Sequence, residues 1–486
     1  MLKSKLTSLL TPLSNVEFSE FIRFSIFHEI KNEHSYQTKL LLYIQKHRSK
    51  SNNKYLDKEL VYREIYNGKK FNESKFKDVL SKCVSLFYDF LAYKNFSSQT
   101  QTKNKHLLAE LNNRNLQKDF DRISSNSKNA IDKLPIRDIH YYLNHFEFDG
   151  EIEQNFQKKN VHEQNSILQE RMTHLDIFYL ASKLKNYCKI LNWKIILNVD
   201  YETLLIEEIT SFLENESNPY NDIPVLSVYH NTIKMLTDTN QEEVHLAELK
   251  NKLIKHKDLF KIEDIKEIYT IASNLCIKKL NSGDEHFVKI QFDLYKQMLE
   301  NNLLYENNRL SQWKYMNIVA LGLRINEHSW VKHFIEEHIN GLPEACKQNA
   351  YTYNLANYHF ACKNYDKAQT LIHNVEYNEP AYQPVSRALQ LKIYFETGET
   401  ELLPYHIENF KKFIQRNKLM SDYNKKTYIN LIKYTEKLFD LIHNIFPTLR
   451  KADQEKALSK LSEEINEVKK IQNLTWLNQK IKELLT

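Results

Sequence analysis

Glycine and proline are scarce, with 6 Gly and 9 Pro in 486 residues. Globular proteins use about 7% and 5% of them, and strand-rich folds spend them on their many turns. The shortage argues for long helices joined by short polar turns. The glycines, Gly68, Gly150, Gly283, Gly322, Gly341 and Gly398, stand alone, so neither a phosphate-cradling G-x-x-x-x-G-K loop nor a dinucleotide turn can be assembled. Five cysteines, Cys83, Cys188, Cys276, Cys346 and Cys362, are scattered without a C-x-x-C pair, which excludes the usual zinc and redox spacings and makes them reduced packing residues. No apolar run approaches the ~20 residues that cross a bilayer. The first residues, MLKSKLTSLLTPLSNVEFSEFIRF, are broken by Thr, Pro and Asn before a signal-peptide core develops. No membrane insertion and a cytoplasmic location are expected.

The chemistry of catalysis is also missing. No H-E-x-x-H occurs, and His28-Glu-Ile-Lys-Asn-Glu-His34 has the wrong spacing. His328, His333 and His338 cluster in sequence, but steps of five residues turn successive helical side chains by about 140°, so the three cannot face one metal. No carboxylate pair is singled out for acid–base work. The expectation is a non-enzyme with no cofactor and no metal.

What is present is a folded composition, 42% hydrophobic and 12% aromatic, with a net charge of +6 distributed unevenly. Residues 1–100 hold 17 Lys and Arg against 10 Asp and Glu, leaving the remainder nearly neutral. The excess gathers at Lys46, Arg48, Lys50, Lys54 and Lys58, then at Lys69, Lys70, Lys75 and Lys77. Such a patch attracts phosphate or acidic proteins.

Apolar spacing predicts an N-terminal helical bundle over 1–98, with Asn67-Gly68 closing one helix and Asn72 or Ser74 capping the next. A polar stretch, Ser97 to Lys105, marks the first boundary. A connecting region, 99–215, then carries a long helix over Lys105–Leu134 that ends before Pro135, a shorter one closed by Asp149 and Gly150, and a two-striped helix from Ile167. The acidic, Asn-rich stretch Glu214–Asp222 reads as a loop. From 216 to 446 come paired helices: Glu263–Leu280 with Glu285–Leu303, Ser311–Ile325 with His328–Ile339, Ala345–Cys362 with Tyr365–Val375, and Gln383–Glu396 with Glu401–Ile414. Residues 447–486 close the chain with one amphipathic capping helix over Asp453–Leu485.

The third pair, NAYTYNLANYHFACKNYDKAQTLIHNVEYNEP, resembles a tetratricopeptide repeat. Leu355 and Ala356 match the large-small pair of the first helix, Tyr365 opens the second, Ala368 and Ile372 match its packing positions, and Pro380 matches the terminal proline. The neighbouring pairs keep the architecture and lose the consensus. The resemblance implies an all-α fold, a right-handed α-solenoid of stacked helical hairpins whose first helices line a peptide groove. Carried onto this chain, those positions are Tyr353 and Asn357, with Lys392 one repeat later and Arg387 nearby. Taken whole, the sequence also resembles a bacterial family of helical proteins of this length, which adds no mechanism. The expected role is a protein-interaction scaffold, with nucleic-acid or ribosome association through the basic bundle as the alternative.

Overall fold

The computed structural model describes residues 4–28, 35–47, 53–159, 166–197, 199–215, 217–375, 382–468 and 470–485; Arg48, Lys50 and Pro380 lie outside them. The first helices are α1 Lys5–Leu10, α2 Asn15–His28, α3 Tyr36–His47, α4 Lys58–Ile65 and α5 Glu73–Ser98. Their ends follow from local chemistry. Asp57 caps α4, accepting from the amides of Glu59 and Leu60. Asn67 and Gly68 close it with φ of 52° and 83°, and the Gly68 amide reaches back to the Arg63 carbonyl at 2.7 Å, as a Schellman turn requires. Asn72 accepts from the Lys75 amide at 2.9 Å and starts α5. The apolar faces meet in one core that includes Phe21, Leu41, Val61, Phe76 and Phe87, each worth about 1.5–3 kcal/mol by burial.

The following segment departs from the expected pattern in three places. The polar stretch Ser97–Lys105 is helical except at Gln99, where α5 ends and α6 Thr100–Asn113 begins. The single helix expected over 105–134 is two, α6 and α7 Gln117–Asp132. Between them Asn115 takes φ 58° and the Leu116 amide bonds to the Leu111 carbonyl at 2.9 Å, so asparagine does there what glycine usually does. Finally, α8 Ile139–Lys158 runs straight through Asp149 and Gly150. Gly150 is a place of close approach and not a stop: a Cβ there would stand 3.1 Å from the Arg171 guanidinium.

The remaining helices are α9 Ile167–Leu197, α10 Ile206–Glu214, α11 Pro224–Thr237, α12 Glu242–His256, α13 Ile262–Asn281, α14 Phe287–Glu300, α15 Gln312–Arg324, α16 His328–Glu337, α17 Lys347–Ala361, α18 Tyr365–His373, α19 Tyr382–Glu396, α20 Leu402–Arg416, α21 Asp422–Asp440, α22 Lys451–Glu467 and α23 Leu474–Leu485. Residues 193–197 complete α9. The chain is all-α. The only strands among the described residues are β1 Tyr305–Glu306 and β2 Arg309–Leu310, an unforeseen two-stranded hairpin turned by Asn307 and Asn308, both at positive φ.

The chain divides into two compact units, Met1–Leu184 with Glu208–Ser227, and Lys185–Glu207 with Val228–Thr486. In the second, the four expected pairs are α13 with α14, α15 with α16, α17 with α18 and α19 with α20, each packed against its mate. All four turns use one device. Gly283, Asn326, Lys363 and Gly398 carry φ of 95°, 60°, 59° and 71°. The next amide then bonds to the carbonyl five residues back, Asp284 to Lys279, Glu327 to Gly322, Asn364 to His359 and Glu399 to Tyr394, at 2.8–3.1 Å. Successive first helices touch as well, α15 with α17, α17 with α19, and α19 with α21. Ala356, Ala368 and Ile372 are fully buried in the α17–α18 pair, where small residues let the backbones approach.

The C-terminal region is a helical pair and not the single helix expected over 453–485. After α22 the chain leaves helical geometry at Val468, the Gln472 amide bonds to the Thr427 carbonyl at 3.2 Å, and α23 packs against α21 and α22. Leu461, Ile465, Leu477 and Ile481 share a core with Leu403, Phe410 and Leu431.

Candidate partner-binding groove

The first helices of the hairpins share one concavity. A groove of about 1190 Å³ runs from the end of α13 along α15, α17 and α19, with α21, the segment after α22 and the start of α23 on the other side. Of the residues predicted for a groove, Asn357 and Lys392 line it. Tyr353 and Arg387 do not: Tyr353 packs edge-on to Tyr382 at 5.8 Å, with burial pushing its hydroxyl up to about 12. The Arg387 guanidinium lies 4.7 Å over the Phe413 ring. Tyr353 thus faces the next hairpin, and Arg387 faces α20, the mate of its own helix.

Lys392 is the unusual group. It is 9% exposed, and its ammonium stands 4.6 Å from the centre of the Phe360 ring. Burial pulls its pKa down to about 8 from the ordinary 10.5, with only Glu396 opposing. Glu396 is engaged elsewhere, by Lys480 and Trp476 Nε1 at 2.8 Å each and by the Tyr365 hydroxyl at 3.3 Å. Among the described residues the Lys392 ammonium has neither a hydrogen bond nor an ion pair to a protein acceptor. A buried cation in that position offers charge-assisted hydrogen bonds to an anion entering the groove.

The rest of the lining agrees in sign and chemistry. Glu285 is its one carboxylate, and Arg324 neutralises it. Lys470, held over the Tyr423 ring at 4.7 Å, adds a second cation. Asn281, Asn326, Asn357, Asn466, Asn473 and Gln479 present amides, and amides pair with an extended backbone. Sequence reasoning missed the contribution of residues 466–479, because a continuous capping helix was expected where the chain turns back.

Of the residues expected to form a basic patch, Lys46, Lys69, Lys70, Lys75 and Lys77 lie on α3, α5 and the turn between α4 and α5. Lys46 lies in the last turn of α3. Lys69 and Lys70 follow the α4 turn, and Lys75 and Lys77 open α5, all exposed. Lys77 pairs with Glu73 at 3.1 Å, an exposed i,i+4 contact of small worth; Lys46, Lys69, Lys70 and Lys75 have no carboxylate partner among the described residues. Arg48, Lys50 and the side chain of Lys54 lie outside them.

The histidines that cluster in sequence are parted, as the helical angle requires. His328 faces Cys362, His333 pairs with Glu337, and His338 accepts the Tyr305 hydroxyl or donates to it at 2.8 Å. Four of the five cysteines are buried and none is in a disulfide. A different set, His145, Asp149 and His174, comes together in the first unit; no sequence motif announced it. No helix of the described chain is long and apolar enough to cross a membrane. Compared with protein-family models, with the curated proteins and with the solved structures, the chain matches none.

Proposed function

We propose that this chain is a cytoplasmic, non-catalytic interaction scaffold, whose second unit is a right-handed, tetratricopeptide-like solenoid that holds an extended acidic segment of a partner protein in its groove. The observation that carries the reading is the buried ammonium of Lys392 at the groove wall, which has no hydrogen bond or ion pair among the described residues. Four hairpins with one turn geometry and successive first helices in contact support the solenoid. The surplus of cations and amides on the lining supports an acidic, extended ligand.

Fluorescence anisotropy with a panel of labelled acidic, neutral and basic peptides tests it. Acidic peptides bind the full chain, and Lys392→Met weakens them by at least about tenfold, which is roughly 1.4 kcal/mol for one charge-assisted contact. Equal affinity for the three peptide classes, or an unchanged affinity in Lys392→Met, removes the proposal.

A second reading is nucleic-acid or ribosome association through Lys46, Lys69, Lys70 and Lys75, supported by their exposure and their lack of carboxylate partners among the described residues. It requires salt-dependent retention of RNA or DNA that falls when these four lysines become glutamine. Retention indifferent to salt and to the substitutions counts against it.

A further inference from the structure

The first unit contains a second polar constellation, independent of the groove. His145 and Asp149 stand four residues apart on α8, hence on one helix face, and His174 approaches from α9. Asp149 is completely buried and His145 is 3% exposed. Asp149 Oδ2 lies 2.7 Å from His174 Nδ1, and the two imidazoles stack with centroids 4.6 Å apart. These contacts leave Asp149 Oδ1 and both ring nitrogens of His145 without a hydrogen bond. Buried polar atoms are nearly always satisfied, so Asp149 Oδ1 and His145 Nδ1, in one cluster, need an explanation.

The donors are arranged as ligands. One atom from each of His145, Asp149 and His174 lies within 4.8 Å of the others. Bonds of about 2.0–2.2 Å to a common ion put tetrahedral ligands about 3.3 Å apart, so binding closes the set by an ångström or so through side-chain rotation. Asp132 Oδ1 stands 3.4 Å from His145 Nε2, the place of the carboxylate that commonly orients a metal-bound imidazole from behind. The cluster opens on a cavity of about 300 Å³ whose other walls are Lys128, Asp132, Tyr141, Gln169, Glu170 and Thr173. Lys128 is tied to Glu170 at 2.9 Å and Arg171 stands 3.6 Å from Glu153, so both neighbouring cations face carboxylates of their own.

The geometry points to a binding site for one zinc-class divalent transition ion, held by His145, Asp149 and His174 and open toward the small cavity. Two imidazoles and a carboxylate suit zinc, cobalt or iron(II) and are a poor set for calcium or magnesium, which take oxygen ligands. The ion satisfies the orphaned Asp149 oxygen and a His145 nitrogen together, which an apolar contact cannot do.

The test uses the full chain, freed of metal with a chelator, and Zn²⁺ alone as the probe in competition with a chromophoric chelator. One tight equivalent per chain is expected. Asp149→Asn, His174→Ala and His145→Ala each weaken it by about a hundredfold or more, Asp132→Asn by about tenfold to a hundredfold, and His333→Ala, at an exposed histidine, leaves it unchanged. Circular dichroism checks that each variant is folded. Co²⁺ added to the unmutated chain supplies a readout free of that concern, visible d–d absorption from a low-coordinate site. Only weak, multiple Zn²⁺ binding, a featureless Co²⁺ spectrum, or a folded Asp149→Asn with undiminished affinity overturns the inference.

Discussion

Replacing Lys392 by methionine is expected to stabilise the protein at neutral pH while it weakens acidic-peptide binding. Burial drops the Lys392 pKa from 10.5 to about 8, and at 1.36 kcal/mol for each tenfold change this disfavours the charged form in the folded chain by about 3 kcal/mol. The contact with the Phe360 ring returns about 1 kcal/mol, leaving a net gain of about 2 kcal/mol for a similar-sized apolar side chain. The sign follows from proton counting. Between about pH 8 and 10.5 the unfolded chain keeps a proton that the folded chain has released, so wild-type stability climbs toward that of the variant as pH rises. The gain is complete below about pH 8 and absent above about 10.5. Urea denaturation followed by tryptophan fluorescence reads it, since Trp476 bonds to Glu396 one turn from Lys392. With an m-value of about 3 kcal/mol/M the midpoint rises by roughly 0.7 M at pH 7. A variant no more stable than wild type at pH 7, or a gain that persists unchanged at pH 10.5, would refute the account of Lys392 as an uncompensated buried cation.

Other substitutions probe the hairpins and the buried histidines. Gly322→Ala puts a methyl 2.4 Å from Val331 and 2.8 Å from Phe292, both buried; overpacking of about 1–3 kcal/mol outweighs the ~1 kcal/mol of helix propensity, so a lower urea midpoint reported by Trp330, which packs against Phe292, is expected, and a raised one contradicts the packing. Lys363→Gly relieves a left-handed residue at φ 59° and stabilises by about 0.5–1 kcal/mol after the greater freedom of unfolded glycine is deducted, measured by the same titration. His406 donates Nε2–H to the Arg387 carbonyl at 2.9 Å, and burial lowers its pKa from 6.5 to about 4. As pH falls through that window the unfolded chain takes up a proton the folded chain refuses, so stability drops by about 3 kcal/mol, and His406→Gln flattens that acid limb relative to wild type.

The hairpins of the second unit were legible because their turns are written in local chemistry: Gly283, Asn326 and Gly398 are residues that tolerate positive φ, and the apolar spacing on either side has a helical period. The break at Asn115 was not legible, since nothing in Leu111–Leu116 distinguishes a left-handed asparagine from a helical one until the packing of α6 on α7 is known. Gly150 misled for the opposite reason, because its role is to admit the Arg171 side chain from another helix. The groove was half legible. Asn357 and Lys392 follow from a repeat register, but the placing of the Lys392 ammonium against the Phe360 ring does not. His145 and Asp149 stand at i,i+4 spacing, which by itself marks no site, and His174 joins them only through the way α8 meets α9.

The engagement of Glu396 by Trp476 and Lys480 has a kinetic meaning. The hairpins close over turns of a few residues, but this clamp joins groups some 80 positions apart in the chain, and such contacts form late because loop closure must come first. The groove is therefore acquired after the hairpins that carry it. Conversely, local opening of α23 removes one of its walls while leaving the hairpin turns intact, so the groove can open at the rate of one helix detaching and needs no wider unfolding.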